Sequence, residues 1–204
     1  MKTRTLVILA AIFSSVTFCR ADITNTTFSA YNDGVMYCEF GALTSLGDHS
    51  FQQSVDAYQN VFATGNMWGD ILTDTDTDPS LTLNHTIDND TTFVWTDYHL
   101  KITLNKTFTL SGVNISNFGW TSVVTTPSQV GSDWIGYIDY YAGNPVPIGQ
   151  ILTFGYTMNF TGSVSFSEEL TPTSSVPEPT TAGCFLLGLG ALVCSRRFNR
   201  NKQA

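Results

Sequence analysis

Gln150-Ile-Leu-Thr-Phe-Gly-Tyr-Thr-Met-Asn-Phe160 (QILTFGYTMNF) carries Leu152, Phe154, Tyr156, Met158 and Phe160 at alternate positions, opposite Thr153, Gly155, Thr157 and Asn159. Only an extended chain turns successive side chains to opposite faces, so the stretch reads as a strand with one face in a core and one in water. After Gly162 the phase resumes with Val164 and Phe166, which makes Thr161-Gly162 either a hairpin turn or a bend within one long strand.

The same period recurs upstream. In Thr91 to Leu104 (TTFVWTDYHLKITL), Val94, Tyr98, Leu100, Ile102 and Leu104 share one side, and Trp95, Asp97, His99, Lys101 and Thr103 the other. Trp134 to Tyr141 (WIGYIDYY) is apolar on both faces and suits a central strand. Between Phe108 and Ile115 the apolar phase shifts across Gly112, as a bulge would produce. Only in Gln52 to Phe62, where Val55, Tyr58 and Phe62 are spaced for a helix, does a helix compete, and that stretch has no cap. Short antiparallel strands separated by Gly, Asn, Asp and Pro turns predict an all-β, jelly-roll-like antiparallel sandwich over residues 22–170.

The ends differ from this body. Lys2 and Arg4, the apolar run Leu6 to Phe18 and the sequence Cys19-Arg20-Ala21 predict a secretory signal helix over 1–21, cut after Ala21. A lipoprotein signal acylated at Cys19 is disfavoured by the bulky Phe18 before it. Asp22 to Ser175 holds 16 acids against Lys101 and Lys106, a net charge of −14 with no arginine. Such a surface repels phosphate backbones and excludes nucleic acid as a partner. Cys38 is the body's single cysteine, so there is no disulfide framework, and no zinc-type ligand spacing occurs.

The polar residues 171–179 form a Pro/Ser/Thr linker ending in Val176-Pro177-Glu178-Pro179. Each proline fixes its own φ and pushes its predecessor out of the helical region, so the motif is a pre-extended ribbon. Residues 180–204 then give an apolar run, Ala182 to Cys194, that Thr180 or Thr181 can cap as a helix. At ~1.5 Å per residue its length is about 20 Å, short for a hydrocarbon core of ~30 Å. Arg196, Arg197, Arg200 and Lys202 follow, suited to a cytoplasmic end with the body outside.

A secretory signal, Val-Pro-Glu-Pro, a Gly-rich apolar segment and an Arg-Arg end, standing in that order, resemble the PEP-CTERM surface proteins of Gram-negative bacteria. The resemblance covers about the last thirty residues. It implies that an exosortase reads Val176, Pro177, Glu178 and Pro179, that Arg196 and Arg197 stop transfer, and that the catalytic cysteine belongs to that partner enzyme. It also implies membrane insertion through the C-terminal helix, transient or permanent, and delivery to the cell envelope, outer surface or extracellular matrix. A glycolipid-anchor signal is the competing reading, encouraged by sequons at Asn25, Asn84, Asn89, Asn105, Asn114 and Asn159, but a basic end is wrong for it.

Within the body, Asp74, Asp76 and Asp78 could converge on Ca²⁺, although Pro79 and His85 stand where an EF-hand needs Gly and Glu. A solvated acidic turn is the plainer account, as it is for Asp88-Asn89-Asp90, and no other cofactor is implied. Asp97 beside His99 invites a general-base reading, yet no Gly-x-Ser-x-Gly elbow accompanies them, and a surface His–Asp pair is preferred. Trp68, Trp95, Trp120, Trp134, Tyr137, Tyr140 and Tyr141 are either core or a sugar-stacking platform. The expected function is therefore a non-enzymatic surface or matrix protein. The alternative is a module binding envelope exopolysaccharide, and a secreted hydrolase comes third.

Overall fold

The computed structural model describes residues 22–30, 33–75, 77–114 and 116–174, and regular structure within them is all strand. In chain order the strands are β1 (Ile23–Thr26), β2 (Ser29–Ala30), β3 (Met36–Phe40), β4 (Thr44–Gly47), β5 (Ser50–Gln59), β6 (Gly65–Thr73) and β7 (Ser80–Asn89). They continue with β8 (Asp97–Leu104), β9 (Phe108–Asn114), β10 (Thr121–Val130), β11 (Asp133–Tyr141), β12 (Ile151–Phe160) and β13 (Val164–Thr173). Residues 1–21 and 175–204, with the expected signal, the Val176–Pro179 motif, the apolar run and Arg196-Arg197, lie outside the described residues, as does Asp76. Among the described residues no helix is long and apolar enough to cross a membrane.

Two sheets form. One has seven strands in the order β1-β6-β13-β8-β11-β10, with β2 also on β6, and the other has six in the order β3-β5-β7-β12-β9, with β4 on β5. Their inner faces share one core, because alternation gives most strands a largely apolar side that must leave water, the exposed edge strands β4 and β10 excepted. β12 supplies Leu152, Phe154, Tyr156, Met158 and Phe160, all buried as its period requires. Phe154 meets Tyr98 of β8 and Tyr140 of β11 in the opposite sheet at ring-centroid distances of 5.7 Å and 5.0 Å.

Several expectations need correction. The six-stranded sheet is mixed, since β5 and β7 pair in parallel from Ser50↔Ser80 to Gln59↔Asn89. Parallel neighbours need a crossover, and β6 provides it by running in the other sheet. Gln52 to Phe62 contains most of β5 and is no helix. Thr161-Gly162 is neither hairpin nor in-strand bend: β12 and β13 belong to different sheets, and Gly162, at φ +64°, turns the chain from one to the other. β11 is not apolar on both sides, for Gly136, Ile138 and Tyr140 point inward while Tyr137 and Tyr141 are exposed. Val94 is exposed too, because the ladder of β8 starts only at Asp97. β13 runs to Thr173, with Leu170 and Pro172 buried, three residues beyond the expected end of the body.

The bulge at Gly112 is present. Ser111 and Asn114 of β9 oppose Thr157 and Gly155 of β12, three steps against two, and Gly112 takes φ +63°.

Candidate functional site

The outer face of the seven-stranded sheet carries one set of exposed polar and aromatic side chains, and the six-stranded sheet exposes a second aromatic pair, Tyr37 and Tyr58. Register sets its rows: Glu169 of β13, Lys101 of β8 and Tyr137 of β11 lie side by side, as do Thr171, His99 and Asp139. Lys101 Nζ donates to Glu169 Oε1 at 2.6 Å, and that bond raises the lysine's pKa against a smaller opposing effect of burial. His99 Nδ1 stands 2.7 Å from Asp139 Oδ1. Thr173 Oγ1 donates to Asp97 Oδ2 at 3.2 Å, Ser165 Oγ to Asp70 Oδ1 at 2.9 Å, and the hydroxyls of Thr64 and Thr171 bond at 3.0 Å. The partner of His99 is thus Asp139 across the ladder and not Asp97, whose side chain is two residues along the same strand. Trp95 does not join this face. It is buried, bridges to Val146 and donates its indole N–H to Thr91 Oγ1 at 3.2 Å.

The seven aromatic candidates divide cleanly. Trp95, Trp120 and Tyr140 are core, and Trp134 is half-buried against the core. Trp68, Tyr137 and Tyr141 are exposed, all on the outer face of the seven-stranded sheet, where Trp68 stands opposite Ser167 and Tyr137 opposite Lys101. Tyr137 and Tyr141 are four residues apart on β11, about 13 Å along a strand, with the His99–Asp139 pair between them.

A second cluster was not singled out by sequence reasoning. His85 of β7 and Glu168 of β13 point inward from opposite sheets, with Nε2 and Oε2 3.1 Å apart and no side-chain exposure. The His85 ring stacks on Phe154 at 4.7 Å and 8° and on Tyr156 at 5.7 Å and 18°. Burial, and next the charge of Glu168, raises the pKa of Tyr98, Tyr140 and Tyr156, and pushes the Cys38 thiol from 9.0 up to about 12. His85 Nδ1, Glu168 Oε1 and the Tyr156 hydroxyl make no well-aligned hydrogen bond to described residues. The signal was available as parity: Leu81, Leu83, His85, Ile87 and Val164, Phe166, Glu168, Leu170 each put the ionisable residue in an apolar series. Chemically the pair is sealed. A recess of about 280 Å³ beside Phe28, Met36, Cys38 and Phe40, and one of about 210 Å³ beside Asp78, Phe108 and Phe160, are lined by neither residue. Cys38, kept protonated, is a poor nucleophile.

Of the acidic turn, Asp74 and Asp78 are described and Asp76 is not. Asp74 Oδ1 accepts the Asp22 amide at 2.8 Å, Asp78 Oδ1 accepts the Thr161 hydroxyl, and no group of three metal-ligating side chains occurs among the described residues. Asn89 is a structural hub. Fully buried, its Nδ2 donates to the carbonyls of Phe93, Val146 and Pro147 at 2.9, 3.1 and 3.2 Å, while Oδ1 accepts the amide and hydroxyl of Thr91. Its sequon is therefore closed to a glycosylating enzyme in the folded chain.

Comparison of the chain with protein-family models, with curated proteins and with solved structures gives no match.

Proposed function

We propose that the chain is an exported, non-enzymatic surface or matrix protein, with a β-sandwich body of jelly-roll type and a C-terminal address, Val176-Pro177-Glu178-Pro179, read by an exosortase. Arg196 and Arg197 hold the end of the apolar helix on the cytoplasmic side until processing. What carries the reading is the order signal, Pro-Glu-Pro, apolar run and Arg-Arg in one chain. The sealing of His85 against Glu168 and the pairing of His99 with Asp139 on an open face favour a scaffold over a catalyst, since catalysis needs a nucleophile, a base and an orienting group around one substrate position. The test is the intact mass of protein recovered from its native cells, with Pro177-Glu178-Pro179 changed to three alanines alongside. Loss of Met1 to Ala21 and of the tail near Val176 in the native chain, and retention of the tail in the variant, is the expected result. Identical tails in both would sink the proposal.

The second reading is glycan binding, favoured by the collection of Trp68, Tyr137 and Tyr141 on one sheet face among fixed donors and acceptors. A net charge of −14 in the body selects neutral over anionic polysaccharide. Binding of a neutral glycan that is lost in a Tyr137→Ala, Tyr141→Ala variant supports it, and a flat response to a broad panel of neutral glycans removes it.

A further inference from the structure

The two sheets have four edges, and three are blunted. β1 and β2 break one edge into pieces of four and two residues, with Thr27 and Phe28 between them. β3 and β4 divide another, which also bears Glu39. β9 is seven residues long and is bulged at Gly112. These are the usual means by which a sheet prevents its unpaired amides and carbonyls from recruiting another strand.

β10 is different. It runs for ten residues, Thr121–Val130, at the edge of the seven-stranded sheet, and its sequence TSVVTTPSQV holds no charged side chain in a body of net charge −14. Its ladder with β11 slips between Thr125 and Ser128, where Pro127 packs toward Gly136, so the interruption falls in the second half. The first half, Thr121 to Thr125, keeps an unbroken register against Tyr141 to Tyr137. Val123 and Val124 are 46% and 37% exposed, one on each side of the sheet, Val123 opposite Asp139 and Val124 opposite buried Ile138.

We propose that β10 pairs antiparallel with β10 of a second copy of this chain, about a two-fold axis at Val123. That axis sets Thr121 opposite Thr125 of the other copy, Ser122 opposite Val124 and Val123 opposite itself. Every pair in this ladder is uncharged, and β-branched and Thr–Thr pairs are favourable across antiparallel strands. The occupant is a second copy because the contact is self-complementary under a two-fold, and because two such acidic bodies approach with least repulsion where neither presents a carboxylate. The joined sheets then continue through both molecules, covering the valines on both faces.

Sedimentation of the purified chain over a concentration series tests this, with Val123→Lys, Val124→Lys and, as a control beyond the bulge, Val130→Lys. The expected result is a monomer–dimer equilibrium whose association constant falls about tenfold or more with either lysine in the first half, since an edge lysine opposes strand pairing, and is unchanged by Val130→Lys. All three positions are exposed, so a thermal transition like that of the unchanged chain certifies folding of each variant. A monomer at every concentration overturns the proposal. So does a dimer indifferent to lysine at both 123 and 124, which would place association elsewhere, including on the apolar tail.

Discussion

His85 Nε2 and Glu168 Oε2 meet 3.1 Å apart in the middle of the core, each delivered by a different sheet and neither touched by solvent. Their attraction in a poorly polarisable interior is offset by the loss of hydration, so the pair is weak evidence of stability as a unit and strong evidence of dependence between its members. Glu168→Leu or His85→Leu alone leaves a polar group stranded and should cost about 3–5 kcal/mol. The double change should recover most of that loss. A double-mutant cycle by denaturant unfolding measures it, and simple additivity of the two losses would contradict the coupling.

The open face should behave in the opposite way. The Lys101–Glu169 and His99–Asp139 pairs have side chains between 33% and 42% exposed. Water and salt screen them, and each contributes at most about 1 kcal/mol. Asp139→Ala and Lys101→Ala should therefore shift the unfolding midpoint little, and less still at high salt. A loss near that of the core pair would mean the face is covered in solution.

Alkali should unfold the body. Cys38 is held up from 9.0 to about 12, and Tyr98, Tyr140 and Tyr156 are raised above their ordinary 10.0, by burial first and by Glu168 second. A folded value above the unfolded one means that the native state keeps its proton where the unfolded chain gives it up. The resulting stability is whole below pH 9.0 and is lost as pH rises through the folded values. Thermal midpoints followed from neutral pH upward should be level at first and then fall steadily. A level trace through pH 12 would contradict the burial of these groups.

Asn89→Ala should cost about 1–3 kcal/mol, because the Thr91 amide loses its acceptor in a buried setting, whereas the carbonyls of Phe93, Val146 and Pro147 each keep a second donor in the Thr91 hydroxyl, the Trp95 amide and the Gln150 amide. Hydrogen exchange should localise the loosening to residues 89–96 and 144–150. Global destabilisation with unchanged local protection would argue that the hub is not where the cost arises.

Much of this architecture was legible in strands whose inner face is wholly apolar. β12 could be read residue by residue, and so could β8 from Tyr98 onward. β5 could not, because its inward series is Phe51, Gln53, Val55, Ala57 and Gln59, and the two glutamines are tolerated inside only through partners distant in sequence. Gln53 donates to the Gly41 carbonyl, and Gln59 accepts from the Tyr98 hydroxyl. Trp95 misled for a related reason: it sits before the ladder begins, where the chain bends and the two-residue period has not started. The partner of His99 was out of reach in principle, since Asp139 is adjacent only through the pairing of β8 with β11. Sheet membership was equally hidden at Thr161-Gly162, where a turn between sheets and a turn within one call for the same residues.

β13 occupies the third position of its sheet, between β6 and β8, although it is the last of the described strands to be synthesised. Until it arrives, β1, β2 and β6 have no ladder to β8, β11 and β10, and His85 on β7 lacks the carboxylate that its Nε2 meets. A growing chain therefore cannot join these two halves of the sheet in full before residue 173 is made. The keystone is laid last, and closure of the body waits on nearly its entire length being free of the machinery that makes it.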